Sequence, residues 1–359
     1  MGHGSGLGQA RIQKIISLKP PKMTHKTTLF YSLFFLILPT LLLAQNSLPN
    51  NIEMNFLNKN IHLYTEMIVA NAIIRGDRSK LLSFKKINNP VTLQVGGSNP
   101  NELAEACKIS EGYGYKEINL NLGCPSKKVQ KNKFGACLMQ EPDLVAKCIE
   151  AMTKATKLPV TIKTRIGYND VENFEFLKSF IQTTKDAGSK KFIIHARKAL
   201  LKKLTPKENL NIPPLKYDFV YKLKDYFKDD EIIINGGVKT TEEIKKHLTK
   251  VDGVMIGRAI YHSPYFLADI EKEIFKNENV PTRTEVMENL IPYIQEQTSK
   301  GVQLNHIMRH TVGLFHGQNG SKTWKQYLSK NMCIRDADLQ KVNHIMDQVR
   351  KNNPVSLER

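Results

Sequence analysis

Cysteine is scarce in this chain and badly spaced for structural use. Five residues, Cys107, Cys124, Cys137, Cys148 and Cys333, are scattered singly over 359 positions. An odd number without the tight spacing of a metal knuckle or a disulfide framework argues against both and suits a reducing compartment. Acidic residues are also short, with 34 Asp and Glu against 53 Lys and Arg, for a formal net charge of +19. That excess suits a polyanionic partner or an anionic membrane. The lysines are not confined to one amphipathic helix, which favours nucleic acid. No 20 to 50 residue period repeats, so solenoids and propellers are excluded. The longest apolar run, in residues 29–44, has about 16 residues with Pro39 inside it, short of the ~20 that a helix needs to cross a bilayer. With Lys22, Met23 and Lys26 before it and Ala44-Gln45 after it, the run has the pattern of a signal peptide or short anchor.

From His62 onward, β-rich runs alternate with amphipathic helical stretches. Strands are expected at 62–65, 91–95, 117–122, 160–164, 192–195, 231–235 and 253–256, and helices between them at 101–112, 143–156, 173–187, 218–227 and 241–248, with Asp143 and Thr240 or Thr241 as caps. Alternation of this kind implies parallel strands with right-handed crossovers. Seven strands are legible, and a closed (β/α)8 barrel needs eight. After Pro264 the strand signals stop, and residues 283–352 carry helical periodicity broken at Gly301, Gly313 and Gly317-Gln318-Asn319-Gly320. The expected organisation is an unassigned basic segment at 1–27, an apolar segment at 28–61, an α/β TIM barrel at 62–280 and a small all-α domain at 281–359.

The stretch Glu117-Ile118-Asn119-Leu120-Asn121-Leu122-Gly123-Cys124-Pro125-Ser126 is the centre of this organisation. Its alternation gives a half-buried strand, and Gly123 and Pro125 end the pairing, which leaves Cys124 on the exit loop. A buried structural role is the commoner fate of a free cysteine, but the Gly and Pro neighbours argue for an exposed one. Gln94, Lys163 and His195 fall at three other strand ends. Asn235-Gly236-Gly237 and Gly257-Arg258 end the last two strands and offer unobstructed backbone N–H groups and a guanidinium, the parts of a phosphate site. Any one of these is more often a turn, an ion pair or a structural histidine. Their common location at strand exits, where barrels keep their chemistry, favours function. Two basic runs follow: Lys127, Lys128, Lys131 and Lys133 after the cysteine, and Arg197, Lys198, Lys202, Lys203 and Lys207 after His195. Two such runs on neighbouring exit loops suit RNA phosphates, although a charge run is usually a solvated face. Arg309, His310, Lys322, Trp324 and Lys325 offer further phosphate and stacking groups in the tail.

The cysteine segment, with Val129-Gln130 and Lys133-Phe134-Gly135-Ala136-Cys137-Leu138-Met139, resembles the active-site segment of the tRNA-dihydrouridine synthases. The resemblance extends through Leu63-Tyr64-Thr65-Glu66-Met67, Gln94-Val95-Gly96-Gly97-Ser98, Phe192-Ile193-Ile194-His195-Ala196-Arg197-Lys198-Ala199 and Gly313-Leu314-Phe315-His316-Gly317, roughly residues 62–328, and is of the A type. It implies FMN-dependent reduction of uridine to dihydrouridine in the tRNA D-loop, at positions 20 and 20a. It also implies NADPH to reload the flavin, as a visitor rather than a bound cofactor, since no Gly-x-Gly-x-x-Gly fingerprint with the required strand and helix context is present to hold a dinucleotide. The implied FMN residues are Gln94, Lys163, His195, Asn235, Gly236, Gly237, Gly257 and Arg258. Cys124 is the implied proton donor, and Asn121, Lys207 and Arg309 are implied tRNA contacts. The family often has arginine where this chain has Leu210. No metal and no obligate protein partner are expected, and the location is cytoplasmic, or membrane-anchored or exported if the apolar run is a signal. The alternatives are a flavin dehydrogenase of a free pyrimidine and a tRNA-binding protein with an impaired flavin site. The family's opening strand is not legible in the first sixty residues, and residues 34–38 are the expected substitute for it.

Overall fold

The computed structural model describes residues 16–18, 61–84, 89–202, 204–331 and 347, with 16–18 and 331 as backbone only. Residues 34–38 lie outside them. Nine strands are β1 (Ile16–Leu18), β2 (Ile61–Tyr64), β3 (Ile68–Val69), β4 (Val91–Gly96), β5 (Glu117–Leu122), β6 (Val160–Arg165), β7 (Lys191–His195), β8 (Glu231–Asn235) and β9 (Gly253–Ile256). From β2 through β4 to β9 the pairing is parallel and runs in chain order. β3 extends alongside β4.

The ring closes, and it closes unexpectedly. β1 pairs with both β2 and β9, and it does so antiparallel. The gap left by seven parallel strands is therefore filled from the segment for which no fold is expected. Leu18 pairs with Ile61 and Val254, near the starts of β2 and β9. The chain thus leaves β1 at the base of the barrel rather than its mouth. Three residues suffice because the two strand edges need only hydrogen-bond partners, and either direction supplies them.

Helices α1 (Ala70–Arg75), α2 (Arg78–Leu82), α3 (Pro100–Ser110), α4 (Lys127–Lys131), α5 (Pro142–Ala155), α6 (Phe174–Asp186), α7 (Tyr217–Tyr226) and α8 (Thr241–Leu248) alternate with the strands. Side-chain caps explain several starts: Asn99 accepts from the Asn101 and Glu102 N–H groups, and Asn173 from that of Phe176. Thr240 and Glu243 form a reciprocal capping box. Asp143 is not a cap. The helix starts one residue earlier at Pro142, whose fixed φ suits the first helical position, and Asp143 lies in the first turn.

All six residues of β5 are buried, not half of them. Ile118, Leu120 and Leu122 take one face, while Glu117, Asn119 and Asn121 take the other and fill the barrel interior, so both faces are covered. Half-way up that interior Tyr64, Ile193, Ile233 and Met255 form an apolar layer.

Residues from Gly257 onward belong to a second compact unit, which contains α9 (Arg258–His262), α10 (Phe266–Glu273), α11 (Arg283–Ser299), α12 (Leu304–Met308) and α13 (Ser321–Asn331). Thr282 and Glu285 form the capping box that starts α11. Gly301, Gly317 and Gly320 have positive φ at helix breaks, and a side chain at Gly313 would strike the His262 carbonyl.

Candidate functional site

Strand register puts the chemistry-bearing residues on one face. Gln94 pairs across to Asn119 and Asn119 to Thr161, Asn121 pairs to Lys163, and Arg165 pairs to His195 and His195 to Asn235. Cross-strand partners share a face, and here that face is the barrel interior. The amides form a relay: Asn121 Nδ2 donates to Gln94 Oε1 at 2.8 Å, Gln94 Nε2 to Asn119 Oδ1 at 3.0 Å, and Asn119 Nδ2 to Thr161 Oγ1 at 2.9 Å. Each member fixes its neighbour's orientation, as buried polar networks do when fully satisfied.

The relay ends at the cysteine. Asn121 Oδ1 accepts from the N–H groups of Gly123, at 3.1 Å, and Cys124, at 3.0 Å, so the strand-end asparagine shapes the exit loop. The Cys124 carbonyl accepts from the Ala136 N–H at 2.9 Å. Gly135 is required there, because a Cβ would lie 2.6 Å from that carbonyl. Cys124 is partly exposed, whereas Cys107 and Cys148 are buried and burial pushes both thiols up to about 12. Cys137 is also raised by burial, and its Sγ donates to the Phe134 carbonyl. Cys333 lies outside the described residues.

Two cations accompany the thiol. Burial, assisted by the charge of Arg165, pushes the Lys163 ammonium down to about 8, and Cys124 opposes that shift. Arg165, at 2 % exposure, is pushed down to about 10 by burial, again opposed by Cys124. Among the described residues no carboxylate pairs with either. Burying a cation without a counter-charge is costly, and the Arg165 guanidinium is held instead by backbone carbonyls, while Lys163 is half-buried. His195 lies against Gly236: a Cβ there would be 2.8 Å from the imidazole Cδ2, and φ is +124. Tyr217 donates to the Gly236 carbonyl at 2.7 Å, and Asn235 Nδ2 to the Met255 carbonyl at 2.9 Å. Gly257 and Arg258 follow β9 directly, and the exposed Arg258 opens α9.

The basic runs are thinner than their composition. Lys127, Lys128, Lys131, Lys133, Lys202 and Lys207 are exposed, but Lys198 Nζ lies 3.2 Å from Glu172 Oε2 and Arg197 donates to the Asn211 and Pro213 carbonyls. Lys203 lies outside the described residues. In the second unit Arg309, Lys322 and Lys325 are exposed. Trp324 is not a stacking platform: its side chain is fully buried, it donates to the Thr311 carbonyl at 3.0 Å and it meets Phe315 edge-on. His310 is likewise buried, and its Nε2 accepts from Arg309. Sequence reasoning missed Arg165, Gln130, Asn209 and Glu172. Arg165 was findable, since Lys163 and Arg165 are two apart on a strand and share a face.

A closed barrel with a thiol, two uncompensated cations and an amide relay at the carboxyl ends of its strands is the architecture of an enzyme. The chain belongs to the dihydrouridine synthase family, whose profile matches residues 54–350. It is 48% identical over 282 residues to a tRNA-dihydrouridine(20/20a) synthase of Synechocystis, covering 78% of this chain and 84% of that protein. A protein of the same name from Vibrio parahaemolyticus is 49% identical over 277 residues, 77% of this chain and 85% of the relative. For the Escherichia coli protein of that name the figures are 43% over 344 residues, 95% of this chain and 98% of the relative. The last span takes in most of the first sixty residues, where no likeness is legible by eye.

Proposed function

We propose that this chain reduces uridine to 5,6-dihydrouridine in the D-loop of tRNA, at positions 20 and 20a, with FMN as its resident cofactor and NADPH as reductant. The observation that carries this reading is the partly exposed Cys124, held by Asn121 in the company of the half-buried Lys163 and the buried Arg165, which lack carboxylate partners among the described residues. The residues present fit a flavin. The Gln94 amide, held by Asn121 and Asn119, keeps a second N–H and a second lone pair to offer, and Lys163 supplies positive charge to a ring that becomes anionic on reduction. Gln94, Lys163, His195, Asn235, Gly236, Gly237, Gly257 and Arg258 would hold it. When bound, FMN supplies the hydride that adds to C6 of the uracil.

The remaining work falls to the chain's own groups. Cys124 donates the proton to C5. A thiol S–H is a proton donor, and a positioned donor of this kind can act as the general acid. The charge left on sulfur then has the Lys163 ammonium nearby. Asn121, Lys207 and Arg309 are the proposed tRNA contacts, and the target base leaves its stack to reach the mouth, a cost of a few kcal/mol that is least in an open loop. A tRNA substrate implies the cytoplasm. Among the described residues no helix is long and apolar enough to cross a membrane.

The test is direct. Purified protein should be yellow, oxidise NADPH, and convert uridine to dihydrouridine in tRNA lacking the modification. A colourless protein that binds tRNA without reducing it would overturn the reading, and efficient turnover of free uracil would replace it with a pyrimidine dehydrogenase.

A further inference from the structure

Cys124 sits between two carbonyls, and both are tied to the same distant loop. On one side, the Gly123 carbonyl accepts from Arg165 Nε at 2.8 Å, while Nη1 of the same guanidinium donates to the carbonyls of Lys198 at 3.0 Å and Asn209 at 3.2 Å. On the other side, Gln130 Nε2 donates to the Pro125 carbonyl at 2.8 Å and to the Leu201 carbonyl at 2.9 Å. Residues 198–209 are the stretch that displays the exposed Lys202 and Lys207. They do not hang loosely from the barrel. Asn209, fully buried, donates to the carbonyls of Leu200, Leu204 and Thr205 and accepts from the Leu200 N–H at 2.7 Å. Asn169 Oδ1 accepts from the Leu201 N–H at 2.9 Å.

We propose that Arg165 and Gln130 are positioning residues that bracket Cys124, locking its loop to the basic loop so that a tRNA held by Lys202 and Lys207 meets the thiol in a fixed register. Neither residue needs to touch the base. The guanidinium is suited to the task because its planar fork reaches three carbonyls at once; a lysine keeps the charge and offers one ammonium in its place. A displacement of about 1 Å at a reacting group is enough to cost on the order of 100-fold in rate. The bracket would thus act on the proton transfer and not on flavin chemistry. This inference rests on the proposed uridine reduction, and its test has an arm that does not.

The variants are Arg165→Lys and Gln130→Met. The second leaves no buried charge behind and serves if the first fails to fold. Three readings are taken on flavin-loaded protein. With pre-reduced enzyme and saturating tRNA, the single-turnover rate of dihydrouridine formation should fall at least about 10-fold in Arg165→Lys and severalfold in Gln130→Met. The rate of flavin reduction by NADPH and the Kd for tRNA should stay within threefold of the parent. The pH profile of the tRNA step should keep its midpoint and lose height. Without any substrate, alkylation of Cys124 by iodoacetamide should change severalfold in both variants as its loop is released. Unchanged single-turnover and alkylation rates in both would overturn the proposal. So would equal losses in both half-reactions, which indicate general damage, and a shifted midpoint at unchanged height, which indicates a charge effect. If the parent makes no dihydrouridine, the functional reading fails, and the alkylation rates alone decide whether the bracket exists.

Discussion

The two ends of the barrel interior handle charge in opposite ways. At the base, Glu117 accepts from Lys191 at 2.7 Å, from Thr161 at 2.7 Å and from Tyr64 at 3.3 Å, and Lys191 also lies 3.7 Å from Glu231. Every charge there has an answer within the protein. Burial and the neighbouring Glu117 hold the Tyr64 phenol protonated, well above its usual range. At the mouth, Arg165 is as deeply set and Lys163 is half-buried, and neither has a carboxylate partner among the described residues. The base is a closed structural network. The mouth is held by backbone carbonyls around Arg165 and leaves the half-buried Lys163 without a carboxylate among the described residues. Barrels divide labour along their axis in this sense, with stability at the bottom and chemistry at the top.

The largest way to break that division is at the mouth. Cys124→Ala should abolish measurable dihydrouridine formation, a loss of about 100- to 10,000-fold for a proton donor, while flavin content and NADPH-driven flavin reduction persist. The two half-reactions timed separately give the answer, and full product formation by the variant would remove Cys124 from the mechanism. Thermal stability should be nearly unchanged, because the thiol is partly exposed.

At the base the pattern reverses. Lys191→Met leaves Glu117 buried without its cation, and breaking a buried pair this way costs roughly 3–5 kcal/mol. Urea unfolding should show that loss, while the folded fraction keeps its flavin and its specific rate. A variant of unchanged stability would mean that the base network is dispensable.

A third prediction uses pH to separate the ends. Because burial lowers Lys163 to about 8 from an unfolded value near ~10.5, the unfolded chain holds more protons than the folded one between those two values. Stability contributed by this site therefore rises as pH rises through that window. Flavin-free protein should gain Tm from pH 7.5 to 9.5, and Lys163→Met should flatten the rise relative to the parent. A parallel curve in the variant would show that Lys163 is solvated in solution. Tyr64 acts with the opposite sign and later: its contribution is complete below about pH 10 and fades only above it.

Much of this was legible before the fold. The seven parallel strands are short apolar runs such as Ile232-Ile233-Ile234, closed by turn residues such as Gly236-Gly237, and such runs declare themselves. Strand ends then indicate the mouth, which is how Gln94, Lys163, His195 and Asn235 come to share a face. What stayed hidden is what local pattern does not encode. Three residues of β1 have no periodicity to detect. Glu117 and Lys191 are 74 positions apart, so nothing in either neighbourhood announces the pair. Trp324 reads as a stacking group until its indole N–H is found inside the bundle, and a lysine run does not reveal which of its members the protein has already used.

That last ambiguity yields the smallest and sharpest prediction. Within the run after His195, Lys202 and Lys207 are exposed, whereas Lys198 shares Glu172 with Lys216, each at 3.2 Å, and its side chain is only 21% exposed. By sequence the three are equivalent basic residues. By position, only the exposed pair is available to phosphate, since drawing Lys198 away would leave Glu172, itself 12% exposed, with one cation fewer. The slope of log K against log salt for tRNA binding reports released counterions, about 0.7 per contact on single strands and about 0.9 on duplex. Replacing Lys202 and Lys207 together with Ala should therefore reduce the slope by up to about 1.4 to 1.8 and weaken binding at low salt, whereas Lys198→Ala should leave the slope within error of the parent. Equal effects from all three would show that the Glu172 pair opens when tRNA arrives, and no effect from the exposed pair would reduce the loop to a solvated face.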